Sequence, residues 1–229
     1  SGSQRRPVLD MLMERLPATI QLAGAGLLVA MGLGIPLGIL AAVRYNTIFD
    51  RLAKGFAVIG MSAPQFWVAI MLIFLFGVKL EVLPTYGKGG IDHYILPAFA
   101  ISLFIMAGFM RLTRSSMLEG LDSGYVKFAR IKGLNERLVI YKHALKNAII
   151  PVLTFGGVSF AGLLNGAIVV EVVFAWPGIG RLALNAISLK DFPILQGVIL
   201  VTGVVVIGVN FLVDFLYAFF DPRIRFSKM

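Results

Sequence analysis

Five stretches of this chain are apolar for long enough to cross a lipid bilayer: about Ala18–Val43, Gly55–Leu80, Ile95–Met110, Ile149–Phe174 and Ile194–Phe220. A helix needs roughly 20 apolar residues to cover about 30 Å of hydrocarbon, and there every backbone N–H and C=O must be satisfied within the protein. The pattern therefore predicts an all-α, polytopic membrane protein surrounded by lipid bilayer. Composition agrees, since 58% of the 229 residues are hydrophobic and only 14% charged, a balance that a soluble domain does not show. Pro36 and Pro64 lie in or beside these runs, where neighbouring helices can re-satisfy the carbonyls they free. Residues 4–226 read as one transmembrane domain. Ser1-Gly2-Ser3, with no initiator Met, looks like an expression scar.

Eight of the 21 Lys and Arg fall between Arg111 and Lys146, after the third run. Arg44, Arg51 and Lys54 follow the first run, and Arg223, Arg225 and Lys228 follow the fifth. Short loops rich in Lys and Arg stay on the cytoplasmic side. That places the Arg111–Lys146 loop and the C-terminus on the cytoplasmic side. The N-terminus then lies outside, which predicts at least one further span ahead of Gln4; five spans with a short translocated tail are the alternative. The net charge of +9 is divided among loops and forms no continuous stripe, so nucleic acid is not an expected partner. No Cys is present and the two His are isolated, which leaves no thiolate chemistry and no expected metal site.

Small residues recur every fourth position in the first run, at Gly26, Ala30, Gly34, Gly38 and Ala42, and again at Gly162 and Gly166 in the fourth. Positions four apart share one helix face, so each stripe predicts close approach of another helix.

The basic loop carries its own local signals. Asp122 or Ser123 can cap a short helix over 124–132, and Gly133 can end it in the left-handed conformation. Arg130 and Lys132 sit where the helix dipole favours cations, and Asn135 can cap a second helix with Glu136 in its first turn. Val126, Ala129 and Gly133 share one side, a pattern that fits either a solvated loop with ordinary caps or a docking helix whose apolar face plugs a groove while Arg130 and Lys132 meet carboxylates at its rim.

The stretch Tyr125-Val-Lys-Phe-Ala-Arg-Ile-Lys-Gly-Leu134, with Lys142-His-Ala-Leu-Lys-Asn-Ala-Ile-Ile-Pro151 after it, resembles the cytoplasmic loop of binding-protein-dependent ABC importer permeases. The resemblance is to the dipeptide, oligopeptide, glutathione and nickel branch. It extends to Arg6-Pro-Val, Glu14-Arg-Leu-Pro-Ala-Thr19, Ile35-Pro-Leu-Gly38, Arg114-Ser-Ser-Met-Leu-Glu119, Phe174-Ala-Trp-Pro-Gly-Ile-Gly-Arg181 and Asp221-Pro-Arg-Ile-Arg225, in collinear order. It implies the transmembrane domain of a type I ABC importer, normally with six spans. It also implies a second homologous permease, two cytoplasmic ATPase subunits and an extracytoplasmic solute-binding protein as partners. In the family the loop helix docks on an ATPase; carried over, Tyr125, Lys127, Phe128, Ala129, Arg130, Lys132, Gly133 and Leu134 form the coupling loop. The family's Glu-Ala-Ala positions fall on Lys127, Phe128 and Ala129 and its glycine on Gly133, so only the last two match the general pattern. No Gly-x-x-x-x-Gly-Lys-Ser/Thr is present, so no cofactor is expected on this chain and ATP is used by the partners.

After the fourth run, Glu171, Trp176, Pro177, Gly178, Gly180 and Arg181 match the family's external re-entrant element near the outer gate. Pro177 suits a first helical turn, Leu182, Ala186 and Leu189 give a short helix an apolar face, and Glu171 is expected to pair with Arg181, a place lining the outer vestibule being the alternative. Gln65, Ser159, Asn165, Asn210 and Asp214 are the polar groups expected along a pathway. No carboxylate pair or Ser/His/Asp set supports an intramembrane enzyme. A stand-alone channel or secondary transporter is the competing class. Among solutes, a short peptide is expected first, with a nickel chelate or glutathione as alternatives.

Overall fold

A computed structural model describes residues 7–220, apart from the side chains of Asn165, Asp214 and residues 216–220. The expected expression scar, residues 4–6 and the Asp221–Arg225 motif therefore lie outside the described residues. Among the described residues the chain is helical, with no strand. In order come α1 (Val8–Val43), α2 (Ile48–Ser62), α3 (Gln65–Leu72), α4 (Asp92–Asp122), α5 (Gly124–Ile131), α6 (Glu136–Leu138), α7 (Leu145–Val173), α8 (Ile179–Ser188) and α9 (Phe192–Phe220). π-helical segments extend α3 over Ile73–Lys79 and join α6 to α7 over Val139–Ala144.

Among the described residues, four helical stretches are long and apolar enough to cross a membrane, and up to five if α2 and α3 count together. The chain is a multi-pass membrane protein. Two of the expected spans differ in kind. α1 starts at Val8 rather than Ala18: the polar Asp10, Glu14 and Arg15 hide an amphipathic extension whose Met11 and Leu12 are buried. Pro36 sits inside α1 without interrupting it. The second run is not one straight helix. Ala63 and Pro64 are both extended (ψ 125° and 131°), because a proline disfavours helical backbone at the residue before it, so the run breaks into α2 and α3.

The helices assemble into two compact units, each with its own core. The first comprises residues 7–26, 64–101 and 157–220; the second comprises Leu27–Ala63 and Ser102–Gly156. In the first, Met11 and Leu12 of α1 pack with Ile179, Leu182, Ala183 and Ala186 of α8 and with Ile194 and Val198 of α9. In the second, Val126 and Ala129 of α5 pack with Ala42, Met117, Val139, Ile140, Ala144 and Ala148.

The expected stripe on α1 is a contact surface for α4. Within the first unit, Gly26 abuts Ile101 and the Ala98 carbonyl. Within the second, a Cβ on Gly34 would lie 2.7 Å from the Met106 carbonyl oxygen, and one on Gly38 would lie 2.6 Å from that of Met110. Backbone meets backbone at these points, so no larger side chain fits. Gly162 and Gly166 of α7 behave differently: no other helix of the described chain comes within 4 Å of their Cβ positions, so no close approach requires glycine there. On α9, Leu200, Val204, Ile207 and Phe211 are all exposed, as side chains bathed by hydrocarbon would be.

Candidate functional site

Two constellations stand out, one in each unit. The first is the loop module of the second unit. α5 is a helix of eight residues whose buried side is Val126 and Ala129, at 0% and 6% exposure. These two residues fill the chain's own core, so they are not available to a docking protein, contrary to the expectation for that face. The face that points outward is formed by Tyr125, Phe128, Ile131 and Leu134, with Ile131 82% exposed. Sequence periodicity identifies an apolar face but not its owner, and here both faces of α5 are apolar.

The module is braced internally. Neither expected N-cap is made: Ser123 donates its hydroxyl to the Gly120 carbonyl, and Asp122 ion-pairs with Lys127 at 2.7 Å. Gly133 stands in the left-handed region (φ +75°) and ends the helix, its amide donating to the Arg130 carbonyl. Asn135 caps α6, accepting from the Arg137 amide at 2.9 Å. Arg130 forms a bidentate pair with Glu136 (2.7 and 3.2 Å) and Lys132 lies over the Phe128 ring at 4.6 Å. The Glu136 carboxylate raises the Arg130 pKa, keeping the pair ionised. Of the two charges expected to reach a partner's carboxylates, Arg130 is therefore already matched within the loop, while Lys132 rests on an aromatic ring.

A buried pair that the sequence reading missed supports the same unit. Asp50, in the first turn of α2, is fully buried and accepts from Arg114 Nε at 2.6 Å and Nη2 at 3.0 Å, from Lys54 Nζ at 3.1 Å and from the Asn46 amide at 3.1 Å. Arg114 was read only as part of the basic loop and of a family motif. The signal was an acidic residue in the first turn of an amphipathic helix, seven residues beyond a membrane run, and nothing local names its partner.

The second constellation lies in the first unit, around the turn between α7 and α8. Ala175 adopts positive φ (52°), and Trp176 is completely buried, its Nε1 donating to the Ala18 carbonyl at 2.9 Å and its ring edge-on to Tyr94. Pro177 precedes the helix rather than entering its first turn, because Gly178 is the N-cap. The expected Glu171–Arg181 side-chain pair is absent. Glu171, fully buried, accepts instead from Thr19 Oγ1 (2.6 Å) and from the amides of Gly180 (2.7 Å) and Arg181 (3.2 Å). The Arg181 guanidinium donates to the Ala175 carbonyl at 2.6 Å. Geometry explains the preference: a carboxylate at a helix N-terminus meets amides and the positive end of the dipole, which substitute for a cation. A Cβ on Gly178 would collide with that carboxylate, and one on Gly180 would lie 2.5 Å from the Ile168 Cα. The two glycines of Trp-Pro-Gly-Ile-Gly are thus explained by space. Thr19 is the residue that the sequence reading missed here.

Of the expected pathway residues, three have described side chains. Gln65 is half-buried at the start of α3, Ser159 is buried in α7, and Asn210 is exposed on α9. The side chains of Asn165 and Asp214 lie outside the described residues. Thr154 bonds the Ile150 carbonyl of its own helix, the usual fate of a lone hydroxyl in a span. His93 pairs with its neighbour Asp92, and no cluster able to hold a metal occurs among the described residues.

Residues 34–226 match the family described as binding-protein-dependent transport system inner membrane component. Among curated proteins, the dipeptide transport system permease protein DppB of Escherichia coli K12 is 38% identical, over all of this chain and 76% of its own length. The glutathione transport system permease protein GsiC of Escherichia coli O1:K1 / APEC is 42% identical, over 97% of this chain and 73% of its own length. Among solved structures, the inward-facing MetNI methionine ABC transporter superposes with a TM-score of 0.77 at 17% identity, over 93% of this chain and 97% of that one. An amino acid ABC transporter solved with histidines gives 0.72 at 15% identity, over 91% and 93%. The fold is that of a type I ABC importer permease.

Proposed function

Because the chain belongs to the family of binding-protein-dependent transport system inner membrane components, we propose that it is the permease subunit of an ATP-driven importer of short peptides. A transport subunit and not an enzyme, it works with an ATPase and a binding protein. In this reading there are two ATPase subunits, which alone bind and use ATP, while a second homologous permease completes the pathway and a solute-binding protein delivers the peptide from outside. The loop from Arg111 to Lys146 and the C-terminus face the cytoplasm, and α8 faces the exterior. The substrate class comes from relatives named for dipeptides and for glutathione, itself a small peptide; it is favoured over a nickel chelate on that ground.

The observation that carries this reading is α5. Its outward face offers Tyr125, Phe128, Ile131 and Leu134, while Val126 and Ala129 anchor it to Met117 of α4 and to the segment leading into α7. A stiff helix with an apolar outer face, fixed to two long helices, can receive a push at the ATPase and pass it to the spans. Tyr125, Phe128, Ile131 and Leu134 make the contact in this reading, and Lys127, Arg130, Lys132 and Gly133 shape the loop.

The test is purification of the importer from its own membrane, followed by reconstitution in proteoliposomes with the binding protein and a labelled dipeptide. The expected result is uptake that requires ATP, with both ATPase and second permease co-purifying, and loss of the ATPase from the double variant Phe128→Asp, Ile131→Asp at unchanged permease yield. A chain that purifies alone and passes solute without ATP refutes the reading.

A further inference from the structure

α8 begins at Gly178, which has no side chain with which to cap it. Its three leading amides are satisfied from other elements. Ile179 donates to Thr19 Oγ1 at 2.9 Å, and Gly180 and Arg181 donate to Glu171 Oε2 at 2.7 and 3.2 Å. The Thr19 hydroxyl then donates to Glu171 Oε1 at 2.6 Å. We propose that Thr19 and Glu171 form a latch that sets the resting position of α8 and so keeps ATP hydrolysis by the importer dependent on the binding protein. Both are positioning residues for transport, and the inference rests on the permease reading above.

Four observations tie the start of α8 to these two side chains. Both side chains are buried, at 5% and 0% exposure, so their bonds are made within the protein and not to bulk water. Thr19 has one proton and spends it on Glu171 while accepting from Ile179, so a single hydroxyl joins α1, the end of α7 and the start of α8. Among the described ion pairs none involves Glu171; its charge is held by this hydroxyl and by the first turn of α8. Withdrawal of α8 therefore breaks its three amide bonds to Thr19 and Glu171 together, while the Thr19–Glu171 bond between α1 and α7 stays behind as their seat. A void of about 40 Å³ beside Thr19 and Glu171, bounded also by Val198, Thr202 and Val205 of α9, leaves room for a small displacement. A packed element with two alternative arrangements is the kind of part through which a signal at one face biases another. α8 is the external element in the permease reading. An α8 freed from the latch reaches, without the binding protein, the position that the docked binding protein otherwise induces.

The experiment uses the complete importer in proteoliposomes, carrying wild-type permease, Thr19→Val, Thr19→Ser or Glu171→Gln. ATP hydrolysis is measured with and without binding protein and dipeptide, and uptake is measured per ATP consumed. Thr19→Val keeps the shape and removes the hydroxyl. It is expected to raise binding-protein-independent hydrolysis by roughly fivefold or more, the lower end of ordinary coupling between sites, and to lower uptake per ATP. Thr19→Ser restores donor and acceptor and is expected to restore the wild-type ratio. Glu171→Gln takes the negative charge from the first turn of α8 and reverses the bond to Thr19, which weakens the latch by a separate route and decides the matter if Thr19→Val fails to assemble. The latch is overturned if the assembled variants show wild-type basal hydrolysis, or if Thr19→Ser behaves as Thr19→Val. Failure of the wild-type importer to take up dipeptide would instead count against the substrate reading, while the basal rates still decide the latch.

Discussion

Asp50→Asn is the most demanding test of the packing in the second unit. The substitution preserves volume and one acceptor oxygen, which can still receive Arg114 Nε. The new amide nitrogen cannot accept, so Arg114 Nη2, Lys54 Nζ and the Asn46 amide, all bonded to Asp50 Oδ2, lose their acceptor. Lys54 is half exposed, and its bond is worth at most about 1 kcal/mol. Arg114 is different: at 18% exposure it is left with an uncompensated charge in the interior. Breaking one side of a buried pair costs about 3–5 kcal/mol. At about 2–4 °C per kcal/mol for a chain of this size, the midpoint of thermal unfolding should fall by roughly 6–20 °C. Heating the protein in one detergent and following the surviving monomeric peak by size-exclusion chromatography measures this directly. The double variant Asp50→Leu, Arg114→Met removes both charges and should recover at least half of the loss, because apolar replacement of both partners is often neutral. An Asp50→Asn midpoint within about 2 °C of wild type, or a double variant worse than the single, would refute the assignment of this pair as a buried electrostatic lock.

Three further outcomes follow from the same geometry. Gly34→Leu and Gly38→Leu should each leave membrane insertion intact but lower the yield of folded protein sharply, since the added atoms meet the α4 backbone; protease resistance after insertion reads this. Val126→Ser should cost about 1–3 kcal/mol by placing a hydroxyl in the α5 core, whereas Phe128→Ala should leave the thermal midpoint unchanged and weaken only ATPase co-purification. At the end of α5, Gly133→Ala should cost about 1–2 kcal/mol through its positive φ alone, because space around it is open; Gly133→Pro also removes the amide bonded to Arg130 and should uncouple uptake from hydrolysis in vesicles.

The apolar runs, the four-residue stripe on α1 and the Gly133 and Asn135 signals were legible because each is a local pattern with a local consequence. Tertiary choices were not. The break at Ala63–Pro64 and the uninterrupted helix through Pro36 follow the same residue type to opposite ends, and only neighbouring packing separates them. Glu171 was read toward Arg181, ten residues away, because charge invites charge; the helix terminus between them supplied amides that were nearer. Thr19 stands 152 positions from Glu171, and no periodicity links them. The two faces of α5 look alike in sequence, and the choice of the inward one was made by Met117, Val139 and Ala144.

The internal pairing of the α5 loop has a thermal consequence. Both cations of α5 are paired, Lys127 with Asp122 and Arg130 with Glu136, so in the proposed reading the surface that α5 itself offers to the ATPase is chiefly the side chains of Tyr125, Phe128 and Ile131, with Leu134 just beyond. A joint of that kind has little charge for salt to screen, and its driving force is the entropy of released water, which weakens on cooling. The importer should then tolerate high ionic strength and lose its coupling in the cold, with hydrolysis and uptake parting company at low temperature well before either subunit unfolds.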